Sequence, residues 1–142
     1  MTKGFFLRVP GTPVGKGRPR MSVRGGHAMA YTPEKTVRYE NLVRTMFVNA
    51  YPDAVPLDVP VKVIVDAEFP IPKSWSKKKR KDAFYVTKKP DIDNVIKAIF
   101  DGLNGVAWTD DSLVAVLEAS KRYTEQMPSC CITIVGLEEK NE

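Results

Sequence analysis

Cysteine and histidine are scarce in this chain of 142 residues, which contains two cysteines and one histidine. Cys130 and Cys131 are neighbours, so on a strand their side chains point to opposite faces and do not pair with each other. We expect both to be reduced packing residues, which excludes a disulfide-stapled fold. An ordinary zinc site is excluded as well. The single histidine, His27, lies in a glycine-rich turn, where we expect a surface side chain.

Long apolar runs are also missing. No stretch approaches the roughly 20 residues that a membrane-spanning helix requires, and the first residues have no apolar segment typical of a secretory signal. We therefore expect a cytoplasmic protein that makes no membrane contact. A chain of this length suits one domain, residues 1–142, and we expect its last residues, 138–142, to be frayed.

Charge, in contrast, is abundant and unevenly distributed. The whole chain has a formal net charge of +5. Residues 1–90 carry 18 Lys and Arg against 7 Asp and Glu, whereas residues 91–142 carry 4 against 10. The basic half therefore suits a polyanion such as nucleic acid, and the acidic half suits a cation.

The acidic half begins with the most informative segment, KPDIDNVIKAIFDGLNG, which is soon followed by WTDD. Pro90 disfavours the helical conformation in the residue before it, so a helix should begin just after it. Asp91 and Asp93 can converge only if the chain is still extended there. Asp93, Lys97 and Asp101 then follow at helical spacing on one flank of an apolar stripe, where Asp101 either pairs with Lys97 or touches a bound cation.

The same carboxylates also have a purely structural interpretation. Asp91 or Asp93 could cap the helix, and Asp110 and Asp111 could be turn residues before a strand. One cap needs one carboxylate, however, and four can reach the same region. Several hard oxygen ligands with no Cys or His nearby favour Mg²⁺, with Mn²⁺ as a substitute. Lys97 would supply positive charge where a phosphate develops negative charge.

With these residues the chain resembles the RusA family of Holliday junction resolvases, which are small phage and prophage endodeoxyribonucleases. Three motifs carry the resemblance: D-x-D-N-x-x-K at 91–97, D-x-L-N-G at 101–105 and W-x-D-D at 108–111. The opening GKGRPR, the later AYTPEKTVRYE and the central FPIPKSWSKKKR are similar to the family as well. The similarity extends over nearly the whole chain.

The resemblance implies an Mg²⁺-dependent crossover junction endodeoxyribonuclease that acts on four-way DNA junctions in recombination and repair. It implies Asp91, Asp93 and Asp111 as metal ligands and Lys97 as a catalytic residue, with Asp110 as a further or substitute ligand. Asn94 is expected to orient one of the ligands. Paired nicking of a junction requires two sites related by a two-fold axis, so we expect a homodimer.

Three basic clusters are candidate DNA contacts. They comprise Lys16, Arg18, Arg20, Lys77, Lys78, Lys79, Arg80, Lys81, Lys88 and Lys89. The first three alternate with Gly and Pro, which keeps their loop irregular and presents its charges along an extended backbone. The run of five follows Trp75 and precedes the acidic segment, although such runs are often solvated helix faces. The last two abut Asp91 and either position the scissile phosphate or temper carboxylate repulsion.

Hydrophobic periodicity predicts an α+β fold, a single domain with a small mixed β-sheet packed against helices. The predicted strands cover residues 5–9, 27–31, 59–69, 113–123 and 131–137. A loop is predicted from the first strand through Gly26. The predicted helices are one ending near Ala50, with Thr32 as N-cap and Pro33 as its first residue, a short basic one at 74–84, and the acidic helix.

Two other functions suit the same charges. A metal nuclease that cuts flaps or other branched DNA would use the same residues, and the sequence does not separate it from a junction resolvase. A non-catalytic DNA-binding protein, in which the acidic cluster merely caps a helix, would need a reading element such as a helix-turn-helix. The sequence shows none.

Overall fold

The computed structural model describes residues 3–138. Its elements are β1 (Gly4–Pro10), β2 (Arg20–Arg24), β3 (His27–Tyr31), α1 (Glu34–Ala50), β4 (Val61–Pro70), α2 (Lys77–Lys81), α3 (Ile92–Leu103), β5 (Val114–Thr124) and β6 (Ser129–Gly136). A single 3-10 turn, Asp111–Leu113, precedes β5. Apart from Glu138, the tail predicted to fray lies outside the described residues.

Four strands form a mixed sheet in the order β1-β6-β4-β5. β4 and β5 are parallel, whereas β6 is antiparallel to both β1 and β4. Parallel neighbours need a crossover connection, and the chain between β4 and β5 provides it with α2 and α3. β2 and β3 form a separate two-stranded ribbon. The predicted α+β domain with a mixed sheet is confirmed, and the homodimer stays a prediction.

The core lies between one face of the sheet and the helices α1 and α3. In β4, buried and half-buried residues alternate from Val61 to Phe69, as a strand with one covered face requires. Helix α1 contributes the buried residues Tyr39, Val43 and Phe47, and α3 contributes Val95, Ile96, Ala98, Ile99 and Leu103. Burial of each large aliphatic side chain contributes about 1.5–3 kcal/mol.

Gly102 allows α3 to approach α1 closely. A Cβ atom on Gly102 would lie 2.8 Å from the carbonyl oxygen of Glu40 and 3.1 Å from Cβ of Val43, so a larger residue would push the helices apart. After Leu103 the chain turns through Gly105, whose φ of 82° is in the left-handed region that glycine adopts readily. The glycines of this segment therefore set the position and the end of α3.

The predicted bounds of two helices are wrong. α1 begins at Glu34 and not at Pro33, which occupies the N-cap position with an extended ψ of 141° and no side-chain capping bond. Pro33 instead packs on the N-terminal loop, where a Cβ on Gly17 would lie 2.8 Å from its ring. The basic helix covers only Lys77–Lys81. It begins at Lys77 because Ser76 caps it by accepting a hydrogen bond from the backbone N–H of Lys79.

The predicted loop before Gly26 contains a strand. β2 pairs with β3 in an antiparallel hairpin whose turn is formed by Gly25 and Gly26. Both glycines have positive φ, 58° and 79°, as a two-residue hairpin turn requires. Glycine and proline in the preceding residues predict a loop, but the Gly-Gly pair marks a hairpin.

Candidate active site

Helix α3 begins directly after Asp91, as predicted. Asp91 occupies the N-cap position with an extended backbone, ψ 146°, and its carbonyl accepts hydrogen bonds from the backbone N–H groups of Asn94 and Val95, both at 3.1 Å. Its carboxylate forms no capping hydrogen bond. The capping interpretation therefore does not account for this carboxylate, which is exposed at the positive end of the helix dipole.

Asp93, Lys97 and Asp101 lie exposed on one flank of α3, as their spacing predicts. The pairing of Asp101 with Lys97 does not form. Oδ2 of Asp101 instead accepts a hydrogen bond from Nζ of Lys16 at 2.7 Å, across a separation of 85 residues. The ammonium of Lys97 therefore remains uncommitted among the residues that the structure describes.

Lys16 joins the N-terminal loop to both helices. Its ammonium also donates to Oε2 of Glu40 at 3.1 Å, and its backbone N–H donates to the carbonyl of Asn94 at 2.8 Å. Burial lowers the pKa of Lys16, but the hydrogen bonds to Asp101 and Glu40 outweigh it and raise the pKa above the usual value. Lys16 is therefore a charged residue that links the loop to α1 and α3 through hydrogen bonds.

The two glycines beside Lys16 let the loop fit between the starts of α1 and α3. A Cβ atom on Gly15 would lie 2.6 Å from Cβ of Pro90, closer than real contacts allow. On the other side, Oγ1 of the buried Thr36 accepts a hydrogen bond from the N–H of Gly17 at 3.0 Å and donates one to the carbonyl of Gly15 at 3.4 Å. We call residues 15–20, GKGRPR, the N-terminal wedge, because its two glycines pack between the starts of the two helices.

This wedge and the start of α3 enclose a groove of about 690 Å³. Its charged lining comprises Lys16, Arg18, Arg20, Lys35, Lys89 and Asp91. Arg18, Arg20 and Lys89 are exposed, so their charges are available to a ligand. Lys35 is a further exposed cation that sequence reasoning missed, although it lies within the family-like AYTPEKTVRYE segment. Five cations and one carboxylate therefore line the same groove.

The two aspartates of the W-x-D-D turn have different hydrogen-bond partners. The carboxylate of Asp110 accepts a hydrogen bond from the backbone N–H of Ser112 at 2.9 Å and so caps the 3-10 turn. Oδ1 of Asp111 accepts one from the indole N–H of Trp108 at 2.7 Å. Trp108 is fully buried and packs edge-to-face on Phe100 of α3, which holds the indole in place. The carboxylate of Asp111 is thereby oriented by a buried side chain, whereas the carboxylate of Asp110 is engaged by a backbone N–H.

The pKa values follow from these contacts. Burial raises the pKa of Asp111, the Trp108 hydrogen bond partly offsets this, and the neighbouring charges of Asp101 and Asp110 raise it further, so the net shift is upward. The hydrogen bonds from Ser112 lower the pKa of Asp110. The charge of Asp101, on the flank of α3, therefore contributes to the raised pKa of Asp111 in the W-x-D-D turn.

A family model for the endodeoxyribonuclease RusA matches residues 10–135. The chain belongs to the RusA endodeoxyribonuclease family. The match includes the N-terminal wedge, α3 and the W-x-D-D turn, and it confirms the family resemblance. Membership indicates a hydrolase of DNA phosphodiester bonds. The uncharacterized protein YqaN of Bacillus subtilis (strain 168) is 37% identical over 124 residues, which make up 83% of this chain and 87% of that protein.

The carboxylates of this RusA-family site are not assembled around a common point. Among residues 3–138, no three Asp, Glu, His or Cys side chains come close enough together to hold a metal ion. Asp91 and Asp93 lie at the start of α3, and Asp111 follows the far end of that helix and Trp108. Their chemistry still suits Mg²⁺, because all three supply carboxylate oxygens.

The segment just before Asp91 is fixed by a residue that sequence reasoning missed. Nζ of Lys121, on β5, donates hydrogen bonds to the carbonyl oxygens of Lys88 and Pro90, both at 2.8 Å. These bonds join the start of α3 to the edge of the sheet. No sequence signal links Lys121 to this segment, because 31 residues separate it from Pro90.

The basic run on α2 is placed differently. Helix α2 has no buried residue, and its side chains are exposed except for the half-buried Arg80. Arg80 donates a hydrogen bond to the carbonyl of Pro72 at 2.9 Å, and Nζ of Lys79 lies 4.2 Å from the centre of the Trp75 ring.

No helix among the described residues is long and apolar enough to cross a membrane.

Proposed function

We propose that this RusA-family chain is an Mg²⁺-dependent endonuclease that resolves four-way DNA junctions by paired cuts, in the cytoplasm, during recombination and repair. Mn²⁺ is expected to substitute for Mg²⁺. The groove at the start of α3 carries the proposal, because cations of the N-terminal wedge share it with the carboxylate of Asp91. A phosphate-binding surface and an uncommitted carboxylate are what a nuclease needs side by side.

The cations of the groove bind the DNA backbone. Arg18 and Arg20 can each present two N–H groups to one phosphate, and Lys35 and Lys89 add point charges. Contacts to phosphates position a strand without reading its sequence. This suits an enzyme that selects its substrate by the shape of the DNA.

Lys97 stabilises the charge that develops on the scissile phosphate. It lies one turn beyond Asp93 on the exposed flank of α3, and its ammonium has no ion-pair partner among residues 3–138. A preorganised positive charge that is not engaged elsewhere acts mainly where negative charge increases, which is in the transition state. We therefore assign Lys97 to the chemical step.

Asp91, Asp93 and Asp111 are the proposed ligands of Mg²⁺. When bound, the ion supplies an activated water and stabilises the leaving oxygen. The indole of Trp108 favours Asp111 over Asp110, since it orients Asp111 while Asp110 is occupied as a cap. Because the three carboxylates are apart in this structure, Asp91 and Asp93 must approach Asp111 for one ion to contact all three.

Paired cutting needs two such grooves. One chain provides one, so we propose a homodimer with two-fold symmetry, which would place two sites on opposite strands of a junction.

The test compares three DNA substrates: a synthetic four-way junction, a flap and a plain duplex, each with Mg²⁺ or with EDTA. We expect symmetrical paired nicks in the junction with Mg²⁺ and no cutting in EDTA. Preferential cutting of the flap would instead assign the chain to another class of branched-DNA nuclease. Binding of the junction without cutting in Mg²⁺ or Mn²⁺ would contradict the proposal.

A further inference from the structure

A second surface, formed in part by the segment that leads into α3, combines exposed aromatic rings with lysines. Phe84 and Tyr85 are 51% and 67% exposed, and their ring centres are 4.5 Å apart. They line a shallow groove together with Trp75, Lys79 and Lys88. Large exposed aromatic side chains next to each other are unusual on a surface without a partner.

The backbone of this aromatic surface is rigidly placed. The carbonyl of Phe84 accepts a hydrogen bond from the N–H of Tyr123 at 2.8 Å, and the N–H of Val86 donates to the carbonyl of Lys121 at 3.0 Å. Tyr85 forms an antiparallel bridge with Arg122. The exposed rings are therefore carried by a short extension of the sheet at the edge of β5.

Trp75 supports the surface from the side. Its ring packs edge-to-face on Tyr123, with centres 5.1 Å apart. Nζ of Lys79 and Nζ of Lys88 lie 4.2 Å and 5.2 Å from the centre of the Trp75 ring, within the range of cation–π attraction. Two positive charges are thus held beside the exposed rings, and Asp82 is the one carboxylate of the lining.

The surface is also tied to the candidate active site. The carbonyl of Lys121 accepts a hydrogen bond from the N–H of Val86. The ammonium of Lys121 donates hydrogen bonds to the carbonyls of Lys88 and Pro90. Asp91 follows immediately. The same residue therefore joins the backbone next to the aromatic rings and the backbone next to Asp91 to one strand.

We propose that Phe84 and Tyr85 form a stacking platform for unpaired nucleotides of the DNA substrate. Aromatic rings bind single-stranded DNA by stacking on bases of any sequence, and neighbouring lysines bind the phosphates between them. The charge of the surroundings favours this occupant, because Lys88 and Lys79 line the same groove as the rings, and Lys79 belongs to the five consecutive cations of α2. The planes of the two rings are inclined by 80°, so one base cannot stack on both rings, and under the proposal each ring receives its own base. This platform rests on the proposed function: base pairs that open at the branch point of a bound junction would supply the unpaired bases.

The test uses the full-length protein in EDTA and two fluorescent probes, a short oligothymidylate and a duplex. Tyr85→Ala and Phe84→Ala should each weaken oligothymidylate binding by about tenfold, the effect of losing one base–aromatic stack. Duplex binding and its salt dependence should change little, because stacking releases no counterions. Tyr85→Phe should retain binding, since the ring is kept.

Phe6 provides a matched control. It is 54% exposed, like Phe84, but lies on β1 at the opposite edge of the sheet. Phe6→Ala should leave both probes unaffected. Equal losses for oligothymidylate and duplex, or no loss for either, would overturn the proposal. Dissociation of a dimer by Tyr85→Ala in sedimentation would overturn it too, because the rings would then belong to a subunit interface.

The outcome is separable from that of the junction-cutting test. If junctions are cut and the platform variants bind oligothymidylate normally, the platform is wrong and the proposed function stands. If no branched DNA is cut but Tyr85→Ala loses oligothymidylate binding alone, the platform stands without the resolvase.

Discussion

Two basic segments are attached to this molecule in different ways. The wedge around Lys16 is hydrogen-bonded to α1 and α3 and shares a groove with Asp91. Helix α2, with five consecutive cations, has no buried side chain. Its contacts include the Ser76 cap and the cation–π contact between Lys79 and Trp75. Charge alone predicts the same role for both segments. Their attachment separates them, because the wedge is fixed relative to the carboxylates of α3 and α2 is fixed relative to aromatic rings.

Loss of a carboxylate that is proposed to bind Mg²⁺ should have the largest effect on cutting. Asp91→Asn, Asp93→Asn and Asp111→Asn should each abolish junction cutting while junction binding is retained, because the change weakens metal binding and does not repel DNA. Gel assays of cutting in Mg²⁺ and of binding in Ca²⁺ measure both properties. Normal cutting by any of the three would remove that residue from the ligand set.

Asp110→Asn is the matched control for the third variant. Asn caps helices about as well as Asp, so the turn that Ser112 completes should survive. We expect cutting within a fewfold of the unchanged protein. Loss of cutting by Asp110→Asn together with normal cutting by Asp111→Asn would reverse the assignment.

Lys97 is a third kind of cation, neither tethered like Lys16 nor clustered like α2, and its removal should have the next largest effect. Lys97→Ala should lower the single-turnover rate by about 10²-fold or more at saturating DNA, as expected for loss of one preorganised electrostatic contact. Junction affinity should change little. If the variant cuts at the normal rate once DNA is saturating, Lys97 is a binding residue.

The salt dependence of duplex binding tests the comparison of the two basic segments itself. Each lost phosphate contact reduces the slope of log K against log[salt] by about 0.9, so Arg18→Gln with Arg20→Gln should flatten it by nearly two units. Lys77→Gln with Lys78→Gln removes the same charge from α2 and should flatten it less. Fluorescence anisotropy in Ca²⁺ gives both slopes. Equal flattening would show that the two basic segments contact the duplex to the same extent.

Lys16 should show the smallest effect, and one of a different kind. Lys16→Met removes the ion pairs to Glu40 and Asp101, and because Asp101 is half-exposed the loss should be about 1 kcal/mol or less in urea unfolding. The pKa of Lys16 is raised in the folded chain, so this contribution is present at neutral pH and is lost as the pH rises through that pKa. Its effect on the salt slope should be smaller than that of Arg18→Met, which should leave stability unchanged.

The sequence predicted those parts of the site that depend on local geometry. Pro90 and the spacing of Asp93, Lys97 and Asp101 specified the start and the exposed flank of α3. Contacts between distant segments were not predictable in the same way. The ammonium of Lys16 meets Asp101, and the ammonium of Lys121 meets the carbonyl of Pro90, only because the sheet and helices bring them together.

The W-x-D-D turn shows the same limit. Its spacing placed Asp110 and Asp111 near α3 but left open which one is the better candidate for a metal ligand. The distinction depends on the indole of Trp108 and on the N–H of Ser112, and both follow from how the turn is packed. The hairpin at Gly25 and Gly26 is the opposite case, because its turn signal was present in the sequence and was outweighed by the glycines and prolines before it.

The division between a reacting acidic site and a binding basic groove is tested most directly by one experiment. Single-turnover cutting of a four-way junction is followed over rising protein concentration for Asp93→Asn and for the Arg18→Gln, Arg20→Gln double variant. The account predicts that the double variant reaches the full rate at high concentration, whereas Asp93→Asn does not cut at any concentration. Cutting by Asp93→Asn, or a rate that stays low in the double variant when all DNA is bound, would contradict it.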